Sequence, residues 1–170
     1  MEAPTETGEL LTRWAIRGAL ALYVTTIGLH RYSRRHDVRN ISRLLWTAAC
    51  ALYLAHVACA FHFYHDWSHE SAYRQVERES EELLGVGFGG GLYLNYVFTL
   101  VWCADVVRVW IRGNARDVVC TRLLHSFMAF MAFQGTVVFE EGALRWFGVA
   151  ATIALVPAWY ANRRRTASAP

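Results

Sequence analysis

Three histidines and a carboxylate stand close together in the middle of the chain: His62, His65, Asp66 and His69, with Tyr73 one turn further on. On a helix advancing about 100° per residue, these positions share roughly a 100° sector of one face. Imidazole is the commonest protein ligand for Cu, Fe and Zn, and carboxylates complement it. One straight helix rarely closes a coordination sphere, so a second element has to contribute. Glu140 and Glu141 are expected at the same membrane depth, at the outer end of a later apolar run, and Asn95 could also approach. Glu70 lies just beside the histidine sector, and His56 falls on another face. The chemistry implied is a transition-metal site serving redox reactions or metal handling. The competing readings are a pH-responsive cluster, or polar aromatic residues facing lipid headgroups.

The segment HDWSHESAY, His65 to Tyr73, is locally similar to the first histidine box of membrane fatty-acid desaturases and hydroxylases. The resemblance implies iron ligation by His65 and His69. Those families complete a di-iron site with further boxes of the HxxHH type. This sequence has seven His and no HxxHH, so the resemblance stops at the one segment.

A second constellation sits within apolar sequence. Asp105 and Arg108 lie in one run, Arg122 and His125 in the next, and each pair is spaced i, i+3 on one helix face. Antiparallel runs joined by a short loop bring all four to comparable depth. Ionisable groups inside a bilayer usually pair within the bundle and often mark function. The functional reading is a proton path, or an anchor orienting His125. The structural reading is an Asp–Arg lock between helices, with Arg122 snorkelling to headgroups. His56 and His125 could also serve as the axial pair of a haem b, their depths differing by about one helical turn.

The elements that must position these groups are long apolar runs. The chain of 170 residues is 55% hydrophobic and 18% charged, and its charges cluster between the runs rather than scattering through them. Five transmembrane helices are expected, over 14–29, 44–64, 92–111, 118–139 and 143–160, forming one all-α membrane domain. The second is expected to continue beyond the outer face as a helical extension over 65–84, because that stretch has no Gly or Pro, or else to bend there and lie on the surface. Arg74–Glu77, Arg78–Glu81 and Arg78–Glu82 are candidate helix pairs along it. The glycine-rich turn 85–91 then reverses the chain.

Charge asymmetry orients this bundle. The 30–43, 112–117 and C-terminal segments hold ten Arg and two acids, whereas the N-terminus, 65–92 and 140–145 hold four Arg and eleven acids. Positive charge on the cytoplasmic side gives an N-out, C-in topology, and six of the seven Trp fall near span ends as an aromatic belt. All 17 basic residues are Arg, read as the codon bias of a GC-rich bacterial genome, so the expected location is a bacterial inner membrane. The acidic N-terminus lacks the basic region of a secretory signal, and the first run reads as a retained helix.

Cys50, Cys59, Cys103 and Cys120 form no CxxC and read as buried free thiols. Walker A, Rossmann, GxSxG and HExxH motifs are absent, and no internal repeat supports a transporter fold. The basic residues are juxtamembrane and imply anionic membrane lipid rather than nucleic acid as a partner. Small-residue faces at Gly18, Ala19 and Ala21, at Ala48, Ala49 and Ala51, and at Ala150 and Ala151 suit membrane-protein partners or a homo-oligomer. The leading expectation is a metal or haem protein near the outer face. The alternatives are a non-catalytic assembly subunit and a proton-coupled channel or carrier.

Overall fold

The computed structural model describes residues 5–32, 36–112 and 118–133. These form five α-helices and no strand: α1 Glu6–Tyr32, α2 His36–Tyr64, α3 His69–Leu84, α4 Gly91–Arg112 and α5 Val118–Phe133. The chain divides into two units, Met1–Asp117 and Val118–Pro170, so α1 to α4 belong to the first and α5 to the second.

Two stretches are long and apolar enough to cross a membrane: Asn40–Tyr64 of α2 and Gly91–Arg112 of α4. Only 22% of each one's most apolar window is buried within the chain, whereas a soluble core helix would hide most of it. Leu44, Leu54, Leu100, Val107 and Ile111 instead point outward. The expectation of five spans is therefore met in these two helices. α1 is 27 residues long, but Glu6, Glu9, Arg13 and Arg17 lower its apolar content. α5 is described over 16 residues, and the expected fifth span lies outside the described residues.

α1 and α2 pack antiparallel. A Cβ on Gly8 would sit 2.7 Å from the Phe63 ring, and one on Gly18 3.0 Å from Leu52, so the small residues set the approach of the two backbones. Ala19 and Ala49 are buried, which spends part of the small-residue faces inside the chain. His56 Nδ1–H donates to the Thr12 carbonyl at 2.9 Å, tying the two helices between these points.

α2 and α4 also run antiparallel, joined by side-chain hydrogen bonds. Trp46 Nε1 donates to Asp105 at 3.1 Å, Trp110 Nε1 to Thr47 at 3.0 Å, and Tyr53 and Thr99 share a hydroxyl bond of 3.0 Å. Aromatic rings fill the seam. Trp102 lies 5.4 Å from Trp46, 5.3 Å from Tyr53 and 5.3 Å from Phe98 between centroids, with Tyr23 of α1 closing the cluster at 6.3 Å. All five are buried, and such pairs add about 0.5–1.5 kcal/mol each beyond their buried area.

The continuous extension of the second helix is corrected. α2 stops at Tyr64, and a four-residue elbow separates it from α3. Asp66 and Trp67 both take left-handed backbone angles, φ 47° and 58°. Trp67 N–H returns to the Phe61 carbonyl at 3.0 Å, which closes the end of α2, and Ser68 N–H bonds the His65 carbonyl at 2.8 Å. Ser68 then caps α3 by accepting from Ser71 N–H at 3.2 Å. Asp tolerates the left-handed region better than most residues, so the break needs no glycine.

α3 folds back on the glycine turn. Gly85, at φ 71°, ends it with its N–H on the Glu81 carbonyl. The Tyr73 ring lies 2.5 Å from where a Cβ on Gly89 would stand, and Val76 3.2 Å from one on Gly91. Ser80 Oγ donates to the Phe88 carbonyl at 2.8 Å, which closes the hairpin. Arg74 pairs with Glu70 at 2.7 Å rather than with the expected Glu77.

Candidate functional site

The elbow at the outer end of α2 redistributes the histidine cluster. His62 belongs to the last turn of α2, is exposed, and packs edge-on to Phe63 at 4.7 Å and beside Trp67 at 6.5 Å. His65 is in the elbow, its ring edge-on to Phe61 at 5.6 Å. His69 is the first residue of α3. The expected single helix face for His62, His65, Asp66 and His69 is thus corrected: the left-handed pair resets the chain direction between His65 and His69. Among the described residues no three His, Cys, Asp or Glu side chains come together as a set able to hold a metal ion. Glu140 and Glu141 lie outside the described residues.

The elbow does give two of the histidines distinct chemical settings. His69 Nδ1 and the Tyr96 hydroxyl share a hydrogen bond of 2.9 Å. Tyr93 and Tyr96 lie 5.8 Å from the His69 ring and Tyr73 lies 6.4 Å away, so the ring is walled on several sides while the residue stays exposed. With Nδ1 engaged, the ring's free orientation is lost and Nε2 is its remaining ligating atom. His65 Nδ1 is buried and has no hydrogen-bond partner. Burial pushes the His65 pKa below its ordinary 6.5, opposed by the negative field of Glu79, so the imidazole is neutral at neutral pH. A neutral ring with an unspent lone pair is the form that binds a metal.

Tyr96 is the neighbour of His69 that sequence reasoning missed. Asn95 was the expected approach from α4, but one residue turns a helix face by about 100°, and it is Tyr96 that meets His69. The elbow itself carried one readable signal: Ser68 followed by His69 and Glu70 is an N-cap with an acidic first turn.

At the other end of the α2–α4 seam, Asp105 is 6% exposed. Trp46 Nε1 donates to Oδ2, and Arg108 donates to Oδ1 from Nη2 at 3.0 Å and from Nε at 3.3 Å. Both carboxylate oxygens are engaged, which suits a fixed lock between α2 and α4. Asp105 and Arg108 pair within α4, not across helices as the expected lock would, and the bond between helices comes from Trp46, a donor that no local pattern announces. Arg122 and His125 belong to α5 in the second unit, and the Arg122 side chain lies outside the described residues. His56, the other expected haem ligand, spends Nδ1 on Thr12 and is half-buried against α1.

The chain matches no family model, no curated protein and no solved structure in the comparisons made with known proteins.

Proposed function

We propose that this chain is a small bacterial inner-membrane protein, N-out and C-in with five spans, that binds a transition-metal ion at the outer elbow between α2 and α3. His69 Nε2 and His65 Nδ1 are the two nitrogen ligands, and the use of the site is redox chemistry or metal handling. The observation that carries this reading is the His69–Tyr96 hydrogen bond, which orients one imidazole through its other nitrogen as metal-ligating histidines are oriented. The lowered basicity of His65 and its unpaired buried nitrogen support the second ligand. His62 stands beside Trp67 and is the candidate for a third. Haem b is the alternative form of the cofactor, with one of these histidines as an axial ligand.

The test is spectroscopic. Detergent-purified full-length protein loaded with Cu(II) is expected to give an electron paramagnetic resonance spectrum with nitrogen couplings from two imidazoles. His69→Ala should lose the bound signal. Signals identical to those of free or surface-adsorbed Cu(II), together with no Soret band in the protein as isolated, would overturn the proposal.

A further inference from the structure

A pair of thiols lies in the middle of the α2–α4 seam, between the Trp46–Asp105 and Tyr53–Thr99 contacts. Cys50 Sγ and Cys103 Sγ are 4.0 Å apart. Cys50 is 4% exposed, Cys103 is half-buried, and both are free. Their opposition is held from both sides. Trp46–Asp105 and Trp110–Thr47 fix the register toward one end, and Tyr53–Thr99 fixes it toward the other. Cys50 stands between Thr47 and Tyr53, and Cys103 between Thr99 and Asp105, so neither can slide past the other without breaking these bonds. Both positions are near the centre of the two helices that can cross a membrane.

A disulfide needs its sulfurs at about 2.05 Å, so the pair has to close from 4.0 Å by side-chain rotation and approach of the two helices. The surroundings decide which oxidant reaches the pair. Flanking apolar side chains and the bilayer exclude charged, water-soluble oxidants, whereas a quinone dissolves in the lipid beside the seam. We propose that Cys50 and Cys103 form a reversible intramembrane dithiol–disulfide couple whose electron acceptor is a lipid-soluble quinone. Both S–H bonds break and one S–S bond forms. The two electrons and two protons pass to the quinone, which becomes the hydroquinone. Thiol–disulfide couples lie at potentials low enough to drive this transfer. The bond would lock α2 to α4 covalently at the level of the aromatic cluster, and a membrane-soluble reductant or dithiol would release it.

Cys59 provides an internal control, because it is on the same helix with no sulfur partner among the described residues. The experiment uses full-length protein in detergent, reduced and then exposed to decylubiquinone, whose fully substituted ring cannot arylate thiols. Free thiols are then trapped with a maleimide under denaturing conditions, and the sites are mapped by peptide mass spectrometry. The expected result is loss of labelling at Cys50 and Cys103 together, a Cys50–Cys103 cross-linked peptide lighter by two hydrogens, one hydroquinone formed per disulfide, and full recovery after a phosphine reductant. Cys59 should label throughout. Cys103→Ser should leave Cys50 fully labelled. Persistent labelling of both thiols in the wild-type chain would overturn the proposal, and so would disulfides that pair Cys50 with Cys59 or Cys120. The wild-type map suffices even if the serine variant fails to fold.

Discussion

His65 and His69 are four positions apart, yet the chain treats them differently. His65 loses solvent in the elbow, which disfavours its charged form, and the field of Glu79 only partly restores it. The unfolded chain therefore takes up a proton near pH 6.5 that the folded chain takes up only at lower pH. Stability from this group is fully present above about pH 6.5 and is lost as pH falls through the lower folded pKa. Thermal midpoints measured from pH 8 to pH 5 should fall toward the acid side, and His65→Gln should flatten that slope. Tyr96→Phe removes the hydroxyl that orients His69 and should weaken metal affinity by about 10- to 100-fold while leaving helix content unchanged. Equilibrium dialysis against a metal buffer measures the first, and far-ultraviolet circular dichroism the second. The histidines themselves were readable in the sequence, because their density in a few residues is a local property. Tyr96 was not, because its bond to His69 spans 27 residues and depends on where α3 starts.

The elbow and the hairpin decide the geometry at the scale of elements. Two consecutive left-handed residues other than glycine each cost of order 1 kcal/mol, which the cap at Ser68 and the bond from Trp67 to Phe61 help to offset. Asp66→Gly should relieve part of that strain and raise stability by roughly 1 kcal/mol in chemical or thermal denaturation. Asp66→Val should lower it by more than that. Gly89→Ala would drive a Cβ into the Tyr73 ring and should cost about 1–3 kcal/mol. The loss should appear as faster amide exchange confined to α3 and the following turn. The sequence announces the glycine turn plainly, since a run of five glycines within seven residues has few other uses. It hides the elbow, because 65–84 has no Gly or Pro and the break is made by an aspartate, a tryptophan and a serine cap. Continuous helix was the natural expectation, and with it a single histidine face that the elbow then divides.

For the whole molecule, α1, α2 and α4 share one aromatic core and α2 and α4 one polar lock. Trp46→Phe keeps the ring packing but removes a donor from the buried Asp105 carboxylate, and it should cost about 1–3 kcal/mol in detergent. The length and apolar content of the runs make the two helices able to cross a membrane readable without coordinates. The partners across the seams are not readable this way: Trp46 with Asp105, His56 with Thr12 and Cys50 with Cys103 are meetings between helices, fixed by rotation and register. The proposed N-out orientation is checked by fusing a periplasm-active phosphatase after Leu84 and after Arg112. Activity is expected from the first fusion only.

The central proposal is a metal ion held at the elbow by His65 and His69. Its most direct test is the metal content per chain of full-length protein purified without added chelator, set beside His65→Ala and His69→Ala prepared identically. About one transition-metal ion per wild-type chain, lost from both variants while their helix content stays intact, is the expected result. No metal above background in the wild-type chain, or the same metal content in all three proteins, would contradict it.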